Sequence, residues 1–461
     1  MDAGDSVIHP PLGHTQGFAV TLGIAAPWLL AQRWFRSKQR PIASVTEHDR
    51  AQLGSAALAV LEVAYSDGGE PDLYLVPSVD GREPRDGEGA WTAIVRAIAD
   101  GAVLRGRRSR FSCTRTPALE ELLPSASFSA AALRERRLGV EQSNTSVVLD
   151  DRLILKLYRL LEPGVNPDLE VSLFLADVGF ADTPATAGSM TWSLDAGEPS
   201  AAAMLQAFVP STGDAWAAML ACLSADPGRA VDMVGRIGEV TARMHAALGS
   251  RPADPAFPSR AASVAETAAW RASAERQLTL AVSAVAGDAH ERMVAIAPAV
   301  TARFADTFGS ATGEARVTRV HGDYHLGQLL ARTDGGFSVI DFEGEPVRPL
   351  QERRAPSSPL RDVAGMLRSL DYAARTAERT SAAFDAEGWL AAARSAFIGA
   401  YGGIGPAALG LLEAFELEKA CYEVRYEASN RPAWLWLPLA AVERLSMYRG
   451  ARVDGPGTLP A

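Results

Sequence analysis

The stretch Arg319–Leu330, RVHGDYHLGQLL, decides the fold. It carries two of the chain's seven histidines, one on each side of Asp323. Two β-like runs flank it, ARVTRV before and FSVIDF after, and together with Gly322 they predict a loop that joins two strands. Asp341 stands at the end of the second run and Glu343 follows two residues later, so two acidic segments come in close succession.

The order of these side chains indicates phosphoryl transfer. That reaction needs a carboxylate to orient the acceptor hydroxyl, oxygen ligands for magnesium and a cation on the nucleotide phosphates. Asp323 can accept the hydroxyl proton, and the amide oxygen of Gln328 suits a hard cation. Four residues separate the two, the same gap as between the Asp and Asn of the protein-kinase catalytic loop. Asp341 then supplies a magnesium carboxylate.

The stretch has two alternative interpretations. Asp323 and Asp341 could each be a turn residue, since aspartate is common after strands. His321 and His325 could form a zinc site, but their spacing would require a helix, and Gly322 with the flanking β runs favours a loop. The joint order of the acidic and amide residues therefore favours the kinase interpretation.

Composition describes a soluble protein of several domains. At 461 residues the chain is too long for one ordinary core. Hydrophobic residues make up 48 % and charged residues 22 %, as in globular proteins. The net charge of -10 argues against a general binder of nucleic acid or of anionic membranes. Three widely spaced cysteines fit a reducing cytoplasm.

One apolar run, GFAVTLGIAAPWLLA at Gly17–Ala31, is a candidate membrane segment. It is shorter than the roughly 18 apolar residues that suggest a span, and Pro27 interrupts it. Asp2 and Asp5 precede it without any lysine or arginine, so it lacks the basic start of a signal peptide. We interpret it as buried core of a cytoplasmic protein.

Upstream of the decisive stretch the pattern is mainly β. LAVLEVAYSD and DLYLVPSV predict antiparallel strands in a small α+β domain. GVEQSNTSVVLDDRLILKLY predicts a hairpin that turns at Asp150 and Asp151, and Pro167 can open a helix. A helix ending at Gly249 follows, and further amphipathic helices begin at Pro359. Strands followed by helices with two embedded loops form the layout of a two-lobed kinase.

The hairpin carries the candidate nucleotide residues. Lys156 lies between aliphatic residues in LILKLY, where it could contact phosphates and pair with Glu170 or could simply be an exposed alternating position. The segment EQSNTS stands where a phosphate-covering loop is expected, and it contains no glycine. Its hydroxyl and amide side chains can donate hydrogen bonds to phosphate oxygens: Ser143, Asn144, Thr145 and Ser146.

Two further features have an ordinary structural interpretation. His245, in the helix TARMHAAL, is more often a hydrogen-bonded core histidine than a ligand. Trp434 and Trp436, in RPAWLWLP, could stack on a sugar face or pack the core, and the sequence leaves both interpretations open.

These motifs resemble a known family over nearly the whole chain, from Arg33 to about Leu445. The chain is similar to the maltokinase-like branch of the aminoglycoside phosphotransferase and choline kinase superfamily. The matching segments are EQSNTSVV, LKLYR, EPGVNPDLEV, RVHGDYHLGQLL, VIDFEGEPVRPLQERRAPSSPLRDVAGMLRSLDYAA and FELEKACYEVRYEASNRPAWLWLPL. Glutamine at Gln328, where the superfamily usually has asparagine, is a mark of this branch.

The resemblance implies an α+β, bilobal, eukaryotic-protein-kinase-like fold with an N-terminal cap domain. The expected division is a cap at residues 1–130, a nucleotide-binding N-lobe at 131–209 and a helical C-lobe at 210–461 with the catalytic loop and the sugar site. ATP and magnesium are the implied cofactors. The implied partners are a small sugar and ATP, with no nucleic acid and no membrane, in a cytoplasmic monomer or weak dimer.

The resemblance also assigns roles to residues. Asp323 is the catalytic base, and Gln328, Asp341 and Glu343 are magnesium ligands. Lys156 and Glu170 form the nucleotide-site ion pair. The remaining assignments are the adenine-facing linker residues Gln206 and Phe208 and the sugar contacts His325, Glu423, Arg425, Tyr426 and Trp434, beside Asp323.

Departures from the maltokinase pattern bear on the acceptor. Maltokinases have Arg-Trp-Tyr/Phe-Ala-Gly-Lys/Arg near the start of the cap and Trp-Leu-Pro-Ile-Pro-Leu near the end of the substrate region. Here the corresponding runs are RWFRSK and WLWLPL. Glucosamine, giving the 6-phosphate, is therefore the favoured acceptor, and maltose, giving the 1-phosphate, is second. An aminoglycoside phosphotransferase and a non-catalytic sugar or nucleotide sensor are the remaining alternatives.

Overall fold

A computed structural model describes residues 22–124, 133–139, 143–311, 313, 315–345, 348–381 and 383–447. Packing of the backbone divides the chain into two compact units. The first unit comprises Met1–Gly164 and Ala187–Gln206, and the second comprises Val165–Thr186 and Ala207–Ala461. The expected division into cap, N-lobe and C-lobe stays a prediction.

Helices and strands follow in the order that the sequence pattern indicates. The described helices are α1 Leu22–Ala31, α2 Ala90–Ala99, α3 Ala118–Leu122, α4 Pro167–Asp177, α5 Ala215–Ala225, α6 Pro227–Leu248, α7 Val264–Ala284, α8 Gly287–Ser310, α9 Leu350–Arg354, α10 Leu360–Thr380, α11 Ala386–Tyr401, α12 Pro406–Asn430 and α13 Trp436–Met447. The described strands are β1 Ile42–Leu53, β2 Ala56–Tyr65, β3 Asp72–Val79, β4 Val103–Arg105, β5 Ser109–Arg115, β6 Glu135–Arg137, β7 Asn144–Leu149, β8 Leu153–Tyr158, β9 Thr186–Leu194, β10 Ser200–Ala207, β11 Ser211–Asp214, β12 Arg260–Ala261, β13 Arg316–Val317, β14 Leu329–Arg332 and β15 Phe337–Val339.

The first unit contains two sheets. Strands β1, β2 and β3 form an antiparallel sheet, which confirms the strands predicted from LAVLEVAYSD and DLYLVPSV. The larger sheet has the strand order β4-β5-β9-β10-β8-β7-β6. Trp91 and Ile94 of α2 pack with Phe111 and Trp192 of this sheet in one buried cluster. The alternation of buried and exposed positions along β5 follows from that one-sided packing.

The predicted hairpin is present as β7 and β8. Ser146 pairs with Lys156 across the two strands. Asp150 and Asp151 both adopt left-handed backbone conformations, with φ of 53° and 50°. Tight hairpins need this handedness to match the twist of their strands, and aspartate tolerates it better than most residues. The sequence thus predicted the turn correctly from its two aspartates.

The N-terminal apolar run is only partly core. Its described part is helix α1, in which Leu29 is fully buried. Leu30 is 44 % exposed, and Pro27 and Ala31 are also exposed. The prediction of a buried segment is therefore wrong for these residues, since a helix of this length presents one side to solvent. Among the described helices, none has the length and apolar character needed to cross a membrane.

The second unit is mainly helical and carries the predicted loops. Helix α4 begins at Pro167, and the side chain of Asn166 caps it by accepting a hydrogen bond of 3.1 Å from the amide of Leu169. Helix α6 ends before Gly249, as predicted. The face of α10 predicted to be apolar is buried throughout: Leu360, Val363, Ala364, Leu367 and Leu370.

Candidate active site

The stretch Arg319–Leu330 leaves β13 as a loop, makes a short turn at Leu326–Gln328 and enters β14 at Leu329, as predicted for a loop that joins two strands. Gly322 has a φ of 87°, and a Cβ atom there would lie 3.2 Å from the Cα of Gly344. Glycine therefore allows the loop to lie directly against the segment that follows Asp341. Further along, Nδ1 of His325 accepts a hydrogen bond of 3.0 Å from the amide of Gly327, which stabilises the turn at Leu326–Gln328.

A buried carboxylate in α10 holds the loop in this shape. Asp362 accepts hydrogen bonds from the backbone amides of His321 at 2.8 Å and Gly322 at 2.9 Å. It also lies 3.0 Å from Nε2 of His245, whose Nδ1 lies 2.9 Å from the hydroxyl of Tyr401. Burial opposes the ionisation of Asp362, but the hydrogen bond and charge of His245 lower its pKa. The predicted core role of His245 is thus confirmed, and it includes support of the catalytic loop.

Three carboxylates gather beside the end of β15. Oxygens of Asp168, Asp341 and Glu343 all lie within 4.8 Å of one another. Asp168 accepts a hydrogen bond of 3.0 Å from the amide of Phe342, and the amide nitrogen of Gln328 lies 3.4 Å from Oδ2 of Asp341. Such a set of oxygen ligands suits a hard cation such as magnesium.

Asp341 has the same left-handed backbone conformation as the turn residues Asp150 and Asp151. Its φ of 67° is left-handed, which is uncommon for a residue other than glycine. A sparsely populated backbone conformation of this kind persists where the surrounding structure fixes it. The structure therefore brings together the predicted ligands Gln328, Asp341 and Glu343, and it adds Asp168.

Glu170 is bound by two arginines of its own unit. Its carboxylate accepts hydrogen bonds from Arg319 at 2.9 Å and from Arg354 at 2.7 and 3.1 Å. Arg319 itself is 1 % exposed. These contacts fix the start of α4 to the catalytic loop and to α9. The predicted partner Lys156 belongs to the first unit, so the ion pair between Lys156 and Glu170 stays a prediction.

A lysine that sequence reasoning missed lies beside the predicted base. Nζ of Lys419 is 3.4 Å from Oδ1 of Asp323 and 2.8 Å from Oε1 of Glu345. Arg348 donates to the other oxygen of Glu345 at 2.6 Å. Nε2 of His325, a predicted sugar contact, is 3.9 Å from Oδ2 of Asp323. Asp323 therefore lies beside one ammonium group and one imidazole.

These contacts determine the charges of the cluster. Burial opposes the charge of Glu345, but Lys419 and Arg348 outweigh it and lower its pKa to about 2. Burial likewise opposes the charge of Lys419, while Glu345 and Asp323 raise its pKa above the ordinary value. Both groups are consequently charged near neutral pH.

Asp323, Lys419 and Glu345 line a cavity of about 530 Å³ in the second unit. Its walls come from the loop that carries Asp323, from α7 and α12, and from residues 344–345 and 348–362, and they include the rings of Trp270, Phe415 and Tyr422. A cavity of this volume with aromatic and charged walls suits a small polar molecule.

The other predicted sugar contacts lie further along α12 and beyond it. The ring of Tyr426, which is 44 % exposed, stacks at 6.4 Å on that of Tyr422 in the cavity wall. The guanidinium of Arg431 lies over the rings of both Tyr426 and Trp434. Arg425 is half-buried, with its guanidinium 5.3 Å from the ring of Tyr422. The cavity wall does not include Arg425, Tyr426 or Trp434, and their contacts with the sugar stay predictions.

Glu423 follows Tyr422 in α12; its side chain is 12 % exposed, and it is not part of the cavity wall. Its Oε2 accepts hydrogen bonds from Arg368 at 2.7 and 3.0 Å. Its Oε1 has no hydrogen-bond partner among the described residues. Burial raises the pKa of Glu423, and Arg368 offsets this only in part. A carboxylate in this condition would gain from a further cation.

The predicted nucleotide residues lie in or near the hairpin of the first unit. Asn144, Thr145 and Ser146 are buried, and Oγ1 of Thr145 accepts a hydrogen bond of 2.8 Å from Arg159. Ser143 is half-buried and precedes β7; Glu141 and Gln142, from the same predicted loop, lie outside the described residues. Nζ of Lys156 is 5.5 Å from the ring centroid of Tyr158. Gln206 and Phe208 flank Ala207, where the chain passes from the first unit to the second.

The chain is similar to known proteins over most of its length. Residues 133–398 match the phosphotransferase enzyme family, and residues 28–104 match the maltokinase N-terminal cap domain. The chain belongs to the phosphotransferase enzyme family. This confirms the predicted kinase-like fold with a cap and the predicted class of enzyme, an ATP-dependent phosphotransferase.

Two relatives can be aligned with most of this chain. A glucosamine kinase of Streptacidiphilus jiangxiensis is 31 % identical over 383 residues, which are 77 % of this chain and 81 % of the relative. A glucosamine kinase of Mycolicibacterium smegmatis is 30 % identical over 420 residues, 87 % of this chain and 98 % of the relative. The predicted maltokinase and glucosamine kinase branch is thereby confirmed.

Two solved structures of glucosamine kinases are also similar to this chain. A glucosamine kinase in complex with glucosamine, ADP and inorganic phosphate superimposes with a TM-score of 0.67 at 26 % identity, covering 92 % of this chain and 98 % of that one. Another crystal form of a glucosamine kinase gives a TM-score of 0.69 at 26 % identity, with coverage of 93 % and 99 %.

Sequence reasoning missed Asp168, Asp362, Lys419 and Glu345. Asp362 stands in the first turn of α10, which is an ordinary position for an acidic residue. Asp168 stands in the first turn of α4, where acidic residues are common for electrostatic reasons alone. Lys419 and Glu345 gave no local signal, because their significance depends on meeting Asp323.

Proposed function

We propose that this phosphotransferase transfers the γ-phosphate of ATP to glucosamine and forms glucosamine 6-phosphate. The observation that carries the proposal is the position of Asp323, which lines a cavity that suits a small polar molecule. The same loop carries Gln328, which contacts Asp341 of the acidic cluster. The base and the metal ligands thus belong to adjoining segments of one unit. The glucosamine kinases of 31 % and 30 % identity and the glucosamine complex of a related kinase support this acceptor.

Asp323 orients the acceptor hydroxyl and takes its proton. The acceptor oxygen then forms a bond to the γ-phosphorus, the bond from that phosphorus to the bridging oxygen of ADP breaks, and ADP leaves with the electron pair. Lys419 keeps Asp323 in place, since its ammonium group donates to both Asp323 and Glu345. Because Glu345 also binds Arg348, the lysine is itself held at a fixed position.

Gln328 and Asp341 would hold magnesium, with Glu343 and Asp168 as further carboxylates of the same cluster. The bound cation would neutralise charge on the transferring phosphate. The hydrogen bond from the amide of Phe342 orients the carboxylate of Asp168 toward the cluster, which supports this assignment. The protein's contribution is a preorganised set of hard oxygen ligands.

ATP would be bound by residues that the sequence predicted. Lys156 would contact its phosphates, and side chains of Ser143–Ser146 would donate to them; Gln206 and Phe208 would face the adenine. The hydroxyl of Thr145 already accepts a hydrogen bond from Arg159. It therefore stabilises the hairpin in addition to any contact with the nucleotide. Glu170 is proposed as the partner of Lys156, although its two arginine contacts support an anchoring role for α4.

The amine of glucosamine needs an anionic partner, since an ammonium group removed from water without one costs several kcal/mol. Glu423 is the best candidate because burial raises its pKa and Oε1 has no partner among the described residues. Glu345 is less suitable, because Lys419 and Arg348 already neutralise it. His325, Arg425, Tyr426 and Trp434 are proposed to complete the sugar site.

Maltose is the second candidate acceptor, and one specific observation favours it. Residues 28–104 match the maltokinase N-terminal cap domain. A screen of ATP consumption against glucosamine, glucose, maltose and a panel of aminoglycosides separates the alternatives. We expect the highest kcat/KM with glucosamine; a preference for maltose would contradict the amino-sugar assignment, and the lack of turnover with every acceptor would favour a sensor.

A further inference from the structure

Tyr324, the residue after the proposed base, is tied to helix α6. Its side chain is 2 % exposed, and its hydroxyl lies 2.9 Å from Oγ1 of Thr241, which is fully buried. Thr241 donates its single hydroxyl proton to the carbonyl of Ile237 at 2.7 Å. Its oxygen therefore accepts a hydrogen bond that the hydroxyl of Tyr324 donates to α6. Burial raises the pKa of Tyr324, so the phenol keeps that proton.

The backbone of Tyr324 is fixed by a second helix. A Cβ atom at Gly365 of α10 would lie 2.6 Å from the carbonyl oxygen of Tyr324, so only glycine allows this contact. On the other side of Asp323, the amide of Gly322 donates to Asp362 at 2.9 Å. Asp323 is thus flanked by an anchor on each side, and the anchor at Tyr324 depends on a hydroxyl pair that α6 supplies.

We propose that Tyr324 and Thr241 form a positioning pair that sets the orientation of Asp323 toward the acceptor. The inference rests on the proposed function, in which Asp323 acts as the base. Loss of the Thr241 hydroxyl would leave that of Tyr324 buried and without its partner, and loss of the Tyr324 hydroxyl would remove the hydrogen bond that ties the loop to α6, so the loop would relax in either case. Because the base is the adjacent residue, that relaxation would move its carboxylate away from the acceptor.

The test compares Tyr324→Phe, Thr241→Val and the double variant in steady-state assays with the best acceptor of the screen. We expect each single variant to lower kcat by about 10- to 100-fold, because small displacements of a reacting group have effects of this size. KM for ATP should stay within about twofold of wild type, since ground-state binding of the nucleotide is untouched. The double variant should be no worse than the single ones, because both remove the same bond.

Two controls separate positioning from stability. Tyr65→Phe removes a comparable hydrogen bond, from the buried Tyr65 to Asp72 at 2.6 Å in the first unit, and should lower thermal stability without lowering kcat. Thr241→Ser keeps the hydroxyl and should restore kcat, and Thr241→Val serves as the test if Tyr324→Phe does not fold. Wild-type kcat in Thr241→Val, additive losses in the double variant, or a failure of Thr241→Ser to restore kcat would each overturn the proposal.

The variant Asp323→Asn distinguishes this inference from the proposed function. If Asp323→Asn is inactive while Tyr324→Phe and Thr241→Val turn over normally, only the positioning pair is contradicted. If Asp323→Asn itself retains turnover, the proposed mechanism fails and the positioning pair fails with it.

Discussion

The ammonium group of Lys419 lies 3.4 Å from the carboxylate of Asp323, although 96 positions separate the two residues in sequence. The same ammonium group donates to Glu345 at 2.8 Å. The proposed base is therefore one member of a charged cluster that also lines the acceptor cavity. Variants that change the charges of this cluster therefore test the proposed mechanism.

Asp323→Asn should retain the fold and nucleotide binding while losing turnover. General-base and orientation effects contribute about 100- to 10,000-fold in typical enzymes. Steady-state kinetics, with circular dichroism to verify the fold, measure the loss. Asp334→Asn is the matched control, because Asp334 is a largely exposed turn residue in the hairpin that follows the loop. Activity within about threefold of wild type would remove Asp323 from the mechanism.

Asp341→Asn and Asp168→Asn should weaken the binding of magnesium-ATP much more than that of the sugar. Each change removes one negative charge from the three-carboxylate cluster. Changes around a metal site typically lower affinity by about 10- to 100-fold. Calorimetric titration with magnesium-ATP measures the change, and Asp182→Asn, at a carboxylate that binds Arg243 instead, is the control. Unchanged affinity in Asp341→Asn would favour the turn-residue interpretation.

Glu423→Gln should lower kcat/KM for glucosamine much more than for glucose. Only glucosamine loses a charge-assisted hydrogen bond to its amine, worth about 1.5–3 kcal/mol. Parallel kinetics with the two sugars measure the difference. Glu413→Gln is the control, since Glu413 lies on the same helix and binds Arg303. Equal losses on both sugars would mean that Glu423 binds a hydroxyl or only supports the helix through Arg368.

Glu345 should make stability depend on pH in the acid range. Its pKa falls from 4.5 to about 2 on folding, so the ionised form is favoured in the folded state. The resulting stabilisation is complete above pH 4.5 and is lost as the pH falls toward about 2. A shift of this size corresponds to about 3 kcal/mol.

Urea unfolding of wild type and Glu345→Gln between pH 7 and pH 2 tests this dependence. The difference in the free energy of unfolding should narrow as the pH falls. Glu352→Gln is the control, because Glu352 is 54 % exposed and lies 3.9 Å from Arg348, a pair of little energetic weight. A difference that stays constant over the whole range would contradict the low pKa of Glu345.

The sequence by itself determined the local elements and the residues whose spacing carries the chemistry. Alternation and turn chemistry predicted the hairpin at Asp150 and Asp151 and the loop that holds Asp323, because these features depend on neighbouring residues. Gln328 and Asp341 were found in the same way. The quoted motifs also sufficed to recognise the family that residues 133–398 match.

Only the tertiary structure decided which charges meet. Asp168 binds the amide of Phe342 across 174 positions, and Glu170 meets Arg354 across 184. Asp362 reaches the loop only because α10 packs beneath it. Electrostatic interaction depends on distance in space and on burial, and neither can be read from spacing along the chain. The sequence therefore names the proposed base and the proposed metal ligands, whereas the fold brings Lys419, Asp168 and Asp362 to them.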